Sequence, residues 1–334
     1  MLGHQLSGEA ARAINDDVEF LCAQARPPRK TFWTGSAAPA NTCAGLRDRG
    51  GPYSMRLMPP LAIAAAIASA VIHASWNAVL KGGTDRVTDS FLIAVGGLGA
   101  GLLIVAFLGA PAPAAWPYLA MTVCIHLAYW FCLFKGYDAG DMSHVYTLSR
   151  GMAPMLVALG AALTANEIPP PLKMLGIAFV SIGVFTVGAS PRASLRATLW
   201  AGAIGLCIAS YSLVDALGSR ATGNAVIFLG WSMALMSVPM AAFAFWRRGV
   251  KRLLTDAAVA PWRGIGVGIV SFAGYGLVLW AQTFAPIAQV TALRETSVVW
   301  GALIAFFFLH ERLGARRWLG AAIVALGAGL IAFA

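Results

Sequence analysis

Ten apolar stretches, each long enough to cross the hydrocarbon core of a bilayer, follow one another along this chain from residue 60 onward. A helix makes that crossing with about 20 apolar residues. The stretches are joined by short connections, several of which carry proline or charge. The predicted helices are 60–80, 89–110, 115–135, 143–165, 171–190, 197–217, 224–246, 262–284, 286–309 and 314–333. The expected fold is an all-α polytopic membrane protein of about ten transmembrane helices.

The composition supports a lipid-facing surface. Charged residues make up 11 % of the chain and apolar residues 59 %, whereas soluble proteins average about 25 % and about 45–50 %. The net charge of +10 lies mostly in the short connections, without the aromatic interleaving that indicates nucleic-acid binding. No connection could hold a soluble catalytic domain, and the nucleotide-binding pattern GxxxxGK[ST] does not occur, which disfavours an enzyme. The five cysteines have no metal-ligand spacing, so neither a metal nor a cofactor is predicted.

The first 54 residues differ from the rest of the chain. They are polar, mixed in charge and rich in Pro, Gly and Ser toward their end, and they lack the apolar run of a signal peptide. Met55 leads directly into the first apolar stretch. Two hypotheses follow: translation begins at Met55, or residues 1–54 form a disordered tail. The predicted domains after this segment are a five-helix unit over 55–190 and a second over 191–334.

An internal repeat underlies this division. When the fourth and fifth stretches are shifted by 144 positions, they fall on the ninth and tenth without a gap. The matched pairs are Thr147 with Thr291, Arg150 with Arg294, Glu167 with Glu311, Gly176 with Gly320 and Gly183 with Gly327. Because five is odd, the second unit must enter the membrane from the opposite side, so the halves are predicted to be inverted repeats. Inverted repeats are typical of transporters that hold a solute between the two halves near the midplane.

Three segments resemble a known family. They are WNAVLK at 76–81, GDMSHVYTLSRGMAPMLVALGAALTANE at 140–167, and VTALRETSVVWGALIAFFFLHERLGARRWLGAAIVALGAGLIA at 290–332. Over 55–334 the chain resembles the drug/metabolite transporter superfamily, specifically proteins with paired EamA domains. The resemblance implies a secondary transporter of the inner (plasma) membrane, often an exporter, which moves small polar metabolites such as amino acids by alternating access. It does not name the substrate, since the superfamily also moves sugars, nucleotide sugars and drugs.

Other functions stay open. A flippase for a lipid-linked substrate and a non-transporting receptor or accessory subunit are the alternatives, although neither a receptor nor a scaffold requires an inverted repeat. The expected partners are a small-molecule solute, the lipid bilayer and protons as a candidate coupling ion, with no nucleic acid. The chain is expected to be a monomer or a homodimer, because two fused halves already supply the pseudo-symmetry.

The orientation of the termini is ambiguous. The odd-numbered connections carry 13 basic residues and the other side 3, if the tail and the intramembrane arginines are left out. Basic residues concentrate on the cytoplasmic side, so this count places both termini outside the cytoplasm. The family resemblance implies both termini inside.

A polar stripe on the first helix is one candidate for the solute pathway. His73, Asn77 and Lys81 recur at a spacing of four residues and so share one helix face, which Trp76 borders. In the alternative interpretation Lys81 reaches the interface and the other two only bond neighbouring helices. A proton-coupling role for His73 is a further hypothesis, because histidine titrates near neutral pH.

Ionisable residues in the later helices form a second set of candidates, because charges in membrane helices usually face the protein interior or a cavity. Arg150 and Arg294 can bind a carboxylate or phosphate of a solute. They can equally pair with Glu295 or Asp215 and hold helices in place. Tyr211 shares a face with Asp215, a carboxylate that can carry a proton.

Aromatic residues in these helices can build the wall of a solute cavity, although tryptophan and tyrosine are also interface anchors. The anchor interpretation is favoured for residues near the ends of stretches, such as Trp280. Deeper positions favour the cavity. The cavity candidates are Tyr129, Tyr146, Tyr275 and Trp300.

Overall fold

A computed structural model describes residues 58–81, 86–188 and 193–333, apart from the side chains of residues 80, 81 and 86. Within these ranges the chain forms helices and contains no strand. The helices are α1 Pro60–Lys81, α2 Arg86–Leu108, α3 Trp116–Ala139, α4 Met142–Thr164, α5 Pro171–Gly188, α6 Leu195–Thr222, α7 Ala225–Arg248, α8 Val250–Val259, α9 Pro261–Phe284, α10 Ile287–Arg294, α11 Ser297–Phe307 and α12 Ala315–Phe333. The two hypotheses about residues 1–54 fall outside the described residues.

Nine spans in the described ranges are long and apolar enough to cross a membrane, with α10 and α11 counted together as Ile287–Phe307. The tenth predicted span is α4, whose 23 residues are sufficient in length but less apolar. Its polar residues His144, Ser149 and Arg150 are buried against other helices, so its lower apolarity is compatible with a crossing. The predicted all-α polytopic fold is confirmed.

The structure differs from the predicted elements at two places. The predicted continuous helix 286–309 is broken at Glu295 and Thr296. The N–H of Glu295 donates to the carbonyl oxygen of Ala292 at 3.0 Å, and the N–H of Thr296 donates to that of Leu293 at 3.1 Å, so each bond spans three residues. Such short-range bonds tighten a helix and interrupt the α pattern, and the run of apolar residues does not reveal them. The connection after α7 forms the helix α8, which at 10 residues is too short to cross a bilayer.

Helices α5 and α12 pack through two reciprocal glycine contacts. A Cβ on Gly176 would lie 2.8 Å from the carbonyl oxygen of Gly327, and one on Gly327 would lie 2.6 Å from that of Gly176. Gly183 and Gly320 approach in the same way, at 2.8 and 2.7 Å. The shift of 144 positions converts one pair into the other. A two-fold relation between the halves requires this reciprocity, which supports the proposed inverted repeat.

The largest apolar cluster surrounds α10. Ile287, Val290 and Leu293 of this helix are each 0 % exposed, and they pack with residues of α1, α4, α5, α6 and α9. Many of these neighbours are alanines, which let membrane helices approach closely. The half-helix α10 therefore ends in the middle of the bundle, and its end places Arg294 and Glu295 among the surrounding helices.

Candidate functional site

A cavity of about 170 Å³ lies between α1, α3, α6, α7, α9 and the end of α10. Its volume is below the roughly 300–1,000 Å³ typical of pockets for drug-sized ligands, so it suits a small solute. Its titratable and aromatic walls include six residues: His73, Trp76, His126, Tyr211, Tyr275 and Arg294. Three of the sequence candidates from the later helices (Tyr211, Tyr275 and Arg294) and two from α1 thus line the same cavity.

Arg294 presents a cation to this cavity. The break after α10 places it at the last residue of the half-helix, where its guanidinium carbon lies 5.4 Å from the centroid of the Tyr275 ring. This distance is suited to a cation–π interaction. Its Nε is buried and has no hydrogen-bond partner among the described residues. Buried donors are rarely left unsatisfied, so Arg294 has an N–H available for an anionic group.

Asp215 supplies the opposite charge behind the same tyrosine. Its side chain lies on α6, it is 1 % exposed, and its Oδ2 accepts a hydrogen bond from the Tyr275 hydroxyl at 2.5 Å. Its Oδ1 has no hydrogen-bond partner within the described part of the chain. Tyr275 therefore contacts an arginine through its ring and an aspartate through its hydroxyl; Tyr275 and Arg294 line the cavity, and Asp215 lies behind Tyr275.

Aromatic and imidazole rings form another part of the cavity wall, and Tyr129 contacts it through Tyr211. The His126 ring stacks on Tyr211 with 4.3 Å between centroids, and Tyr129 meets Tyr211 edge-on at 5.9 Å. The His126 Nδ1 lies 2.8 Å from the carbonyl oxygen of Thr122, so in the neutral ring Nδ1 carries the proton and Nε2 is an acceptor. On α1, His73 contacts Trp76 edge-on at 5.0 Å. These faces can cover the apolar part of a solute.

A buried ion pair joins α4 to the break between α10 and α11. The Arg150 Nε donates to Glu295 Oε2 at 3.1 Å, and its Nη2 lies 2.9 Å from Oε1. The side chains are 8 % and 1 % exposed. Of the alternatives open from the sequence, Arg150 thus pairs with Glu295 rather than with Asp215. We call Arg150–Glu295 the central ion pair. Arg150 is therefore engaged with Glu295, whereas Arg294, the repeat mate of Arg150, faces the cavity.

A second ion pair closes one end of the bundle. Arg220, near the end of α6, contacts Glu167 Oε1 at 2.6 Å and donates to the carbonyl oxygens of Gln282 at 2.7 Å and Ala285 at 3.0 Å. Glu167 Oε2 accepts the N–H of Ile287, the first residue of α10, at 2.8 Å. We call Arg220–Glu167 the helix-end ion pair. It ties the ends of α4, α6 and α9 to the start of α10, on the membrane side opposite to α8.

Several sequence candidates lie away from the cavity. Asn77 donates back to the carbonyl oxygen of His73 at 2.7 Å, so the polar stripe reaches the cavity through His73 alone. Tyr146 is 37 % exposed, Trp300 is half-buried, and neither is among the lining residues. The side chain of Lys81 falls outside the described residues.

The sequence reasoning missed part of the cavity wall. His126 is an ionisable residue inside the third apolar stretch, and the rule applied to the other charged residues would have found it. The remaining lining residues are small, apolar or hydroxylic and carry no such signal. They are Ser69, Met233, Ser271, Phe272 and Gly274.

Comparison with known proteins identifies the domain that builds much of this site. Residues 195–333, from α6 to α12, match the model of the EamA-like transporter family. The chain contains an EamA-like transporter domain. The family belongs to the drug/metabolite transporter superfamily, so the resemblance expected from the sequence is confirmed over these residues.

The fold is shared with a solved structure. A crystal structure described only as that of a protein aligns with 81 % of this chain and 98 % of its own, with a TM-score of 0.64 and 14 % identity. At this identity the likeness shows the fold alone. None of the curated proteins matches this chain.

Proposed function

We propose that this EamA-like protein is a secondary transporter that exports a small metabolite carrying both a carboxylate and an amino group, such as an amino acid, across the inner (plasma) membrane. One observation carries the proposal: Arg294 and Asp215, each with an unpartnered polar atom, flank the same residue, Tyr275, at a cavity of about 170 Å³. Opposite charges that contact one tyrosine in the wall of a small cavity suit a zwitterion.

Each end of such a solute has a chemically matched partner. A guanidinium binds a carboxylate through charge-assisted hydrogen bonds, and Arg294 retains an unsatisfied N–H. An ammonium group matches the free oxygen of Asp215 and the electron-rich faces of Tyr211 and Trp76. Because the wall also contains Met233, Phe272 and several small residues, the side chain of the solute can be apolar.

Alternating access follows from the proposed inverted repeat. The helix-end ion pair holds one side of the bundle closed in this conformation, and Glu311, the repeat mate of Glu167, lies on the opposite side. We propose that the helix-end ion pair separates when the cavity opens toward its side. The central ion pair is fully buried and stays intact as a fixed point between α4 and the broken helix.

The proposed energy source is a proton gradient. Asp215 is buried and has no ion-pair partner among the described residues. A buried carboxylate without a counter-ion can take up a proton. The titratable groups around it are Tyr275, Tyr211 and His126. We propose that Asp215 carries a proton when it is not bound to the solute ammonium, so that solute and proton exchange at one residue.

A thermal-shift screen tests this function. The purified protein is heated with a panel of amino acids, organic acids, simple amines and lipid-linked sugars. A solute at 100 times its Kd stabilises the native state by about 2.7 kcal/mol, which corresponds to a rise in Tm of about 4 °C for a chain of 334 residues. We expect an amino acid to produce this shift in the wild type and in Arg312→Gln, an exposed arginine control, but not in Arg294→Gln.

Other outcomes contradict the proposal in distinguishable ways. If only lipid-linked compounds shift the Tm, the protein is a flippase. A shift by organic acids and amino acids alike would leave Arg294 as an anion site and remove the role of Asp215 in recognising an amine. An unchanged shift in Arg294→Gln would exclude Arg294 from the site.

A further inference from the structure

The short helix α8, between the seventh and eighth spans, has three chemically different sides. One side packs on the protein: Leu253 is 0 % exposed and Ala257 is 6 % exposed, in a cluster with Phe91 and Leu92 of α2. This contact fixes α8 against the bundle. The other two sides have no protein neighbours that cover them among the described residues.

The second side is apolar but uncovered. Val250 is 55 % exposed and Leu254 is 49 % exposed, and both lie next to the packed side on the helical wheel. Trp246 and Trp262, on the adjoining ends of α7 and α9, are 77 % and 81 % exposed. Tryptophan is enriched where the hydrocarbon core meets the headgroups, so these residues place α8 at that level of the membrane.

The third side is cationic. Lys251 and Arg252 are exposed, and Arg247 in the last turn of α7 is exposed beside them. The only acidic neighbour in this part of the described chain is Asp256, which lies 3.9 Å from the Arg252 Nε, with side-chain exposures of 40 % and 70 %. Exposed pairs of this kind are weak, so the positive charge of this side is largely uncompensated.

We propose that α8 and the end of α7 form a binding surface for anionic phospholipid headgroups. A helix with adjacent apolar and basic sides lies in the plane of the interface, with acyl chains against the apolar side and headgroups against the basic residues. Phosphate groups match the charge of Lys251 and Arg252, and the uncovered Val250 and Leu254 add a contact that a free phosphate ion cannot use. The structure thus favours a lipid over a soluble anion.

This surface also bears on orientation. Anionic lipids attract basic segments at the cytoplasmic leaflet, and the connection that holds α8 lies on the side with most of the loop charge. The inference therefore places α8 and the other odd-numbered connections in the cytoplasm. It is independent of the transported solute and of the cavity.

Lipid binding by the full-length protein tests the inference. Protein in detergent is titrated with mixed micelles of phosphatidylglycerol or phosphatidylcholine, and bound lipid is counted by native mass spectrometry. Because each basic residue strengthens binding to an anionic surface about fivefold, we expect Lys251→Gln with Arg252→Gln to weaken phosphatidylglycerol binding about 25-fold. The matched control, Arg312→Gln with Arg317→Gln, removes two exposed arginines on the same membrane side and should retain wild-type binding.

A second variant separates lipid from free anion. Leu254→Gln removes apolar surface without changing charge, so it should weaken phosphatidylglycerol binding and leave competition by inorganic phosphate unchanged. The inference is overturned if the wild type does not prefer phosphatidylglycerol, if both charge variants lose it equally, or if inorganic phosphate displaces the lipid at equal concentration. Equal Tm values for all variants establish that each is folded.

Discussion

The helix-end ion pair gives the sharpest prediction for a single substitution. The Glu167→Gln substitution keeps the shape of the side chain and removes its negative charge. Arg220 then keeps its hydrogen bonds to the carbonyl oxygens of Gln282 and Ala285 but loses its carboxylate partner. Removing one member of a buried pair costs about 3–5 kcal/mol. The Arg220 side chain is 21 % exposed and Glu167 is 3 % exposed, so solvent reduces the loss to about 2 kcal/mol by that reasoning.

Thermal unfolding of the purified protein measures this loss. A decrease of about 2 kcal/mol lowers the Tm by about 3 °C in a chain of 334 residues. Arg252→Gln is the control, because it breaks a pair that is 70 % and 40 % exposed at 3.9 Å and should lower stability by less than about 0.5 kcal/mol. A double-mutant cycle with Arg220→Gln isolates the interaction. If the Glu167 and Arg220 effects simply add, the pair does not stabilise this conformation.

The same substitution has a conformational readout. Ala285 is 0 % exposed and lies directly under Arg220. In a background without native cysteines, Ala285→Cys should react slowly with a membrane-impermeant maleimide and faster once Glu167→Gln is added, because the closed side opens more often. Equal labelling rates would contradict a gating role while leaving the stability result intact.

The other predictions concern the glycine contact and the proton site. Gly183→Ala should lower the free energy of unfolding by about 1–3 kcal/mol, because its Cβ would lie 2.8 Å from the Gly320 carbonyl oxygen. The control is Gly202→Ala, whose Cβ would have nothing within 4 Å and which should raise the free energy of unfolding by about 0.5–1 kcal/mol. Thermal unfolding compares the two variants. Asp215→Asn should make solute flux in proteoliposomes independent of an imposed pH gradient, whereas a flux that still follows the gradient would place the coupling proton elsewhere. Tyr275→Phe removes the hydrogen bond from the Tyr275 hydroxyl to the Asp215 carboxylate, which is worth about 1.5–3 kcal/mol, so the Tm measured by thermal unfolding should fall.

The number and extent of the membrane helices followed from the sequence because they depend on one property, the length of apolar runs. The break at Glu295 and Thr296 did not, since it arises from backbone bonds inside an apolar run. The helix α8 was also missed, because 10 residues with a mixed pattern are indistinguishable from a loop when only spans are sought.

The candidate site was predictable as a set of residues but not as an arrangement. Charge inside apolar stretches indicated Arg150, Arg294, Asp215 and Glu295 together. Which arginine meets which carboxylate depends on the rotation and tilt of each helix, and Arg150 and Glu295 are 145 residues apart. The partner of Glu167 was missed for the same reason, because Arg220 is 53 residues away in sequence.

Solute transport tests the central claim most directly. The amino acid that stabilises the purified protein is supplied in radiolabelled form to proteoliposomes preloaded with the unlabelled compound, and exchange is followed over time. The account predicts exchange by the wild type and by Arg312→Gln, and loss of exchange in Arg294→Gln with the protein still folded. Exchange by Arg294→Gln at the wild-type rate would contradict the proposal that the cavity beside Tyr275 is the solute site.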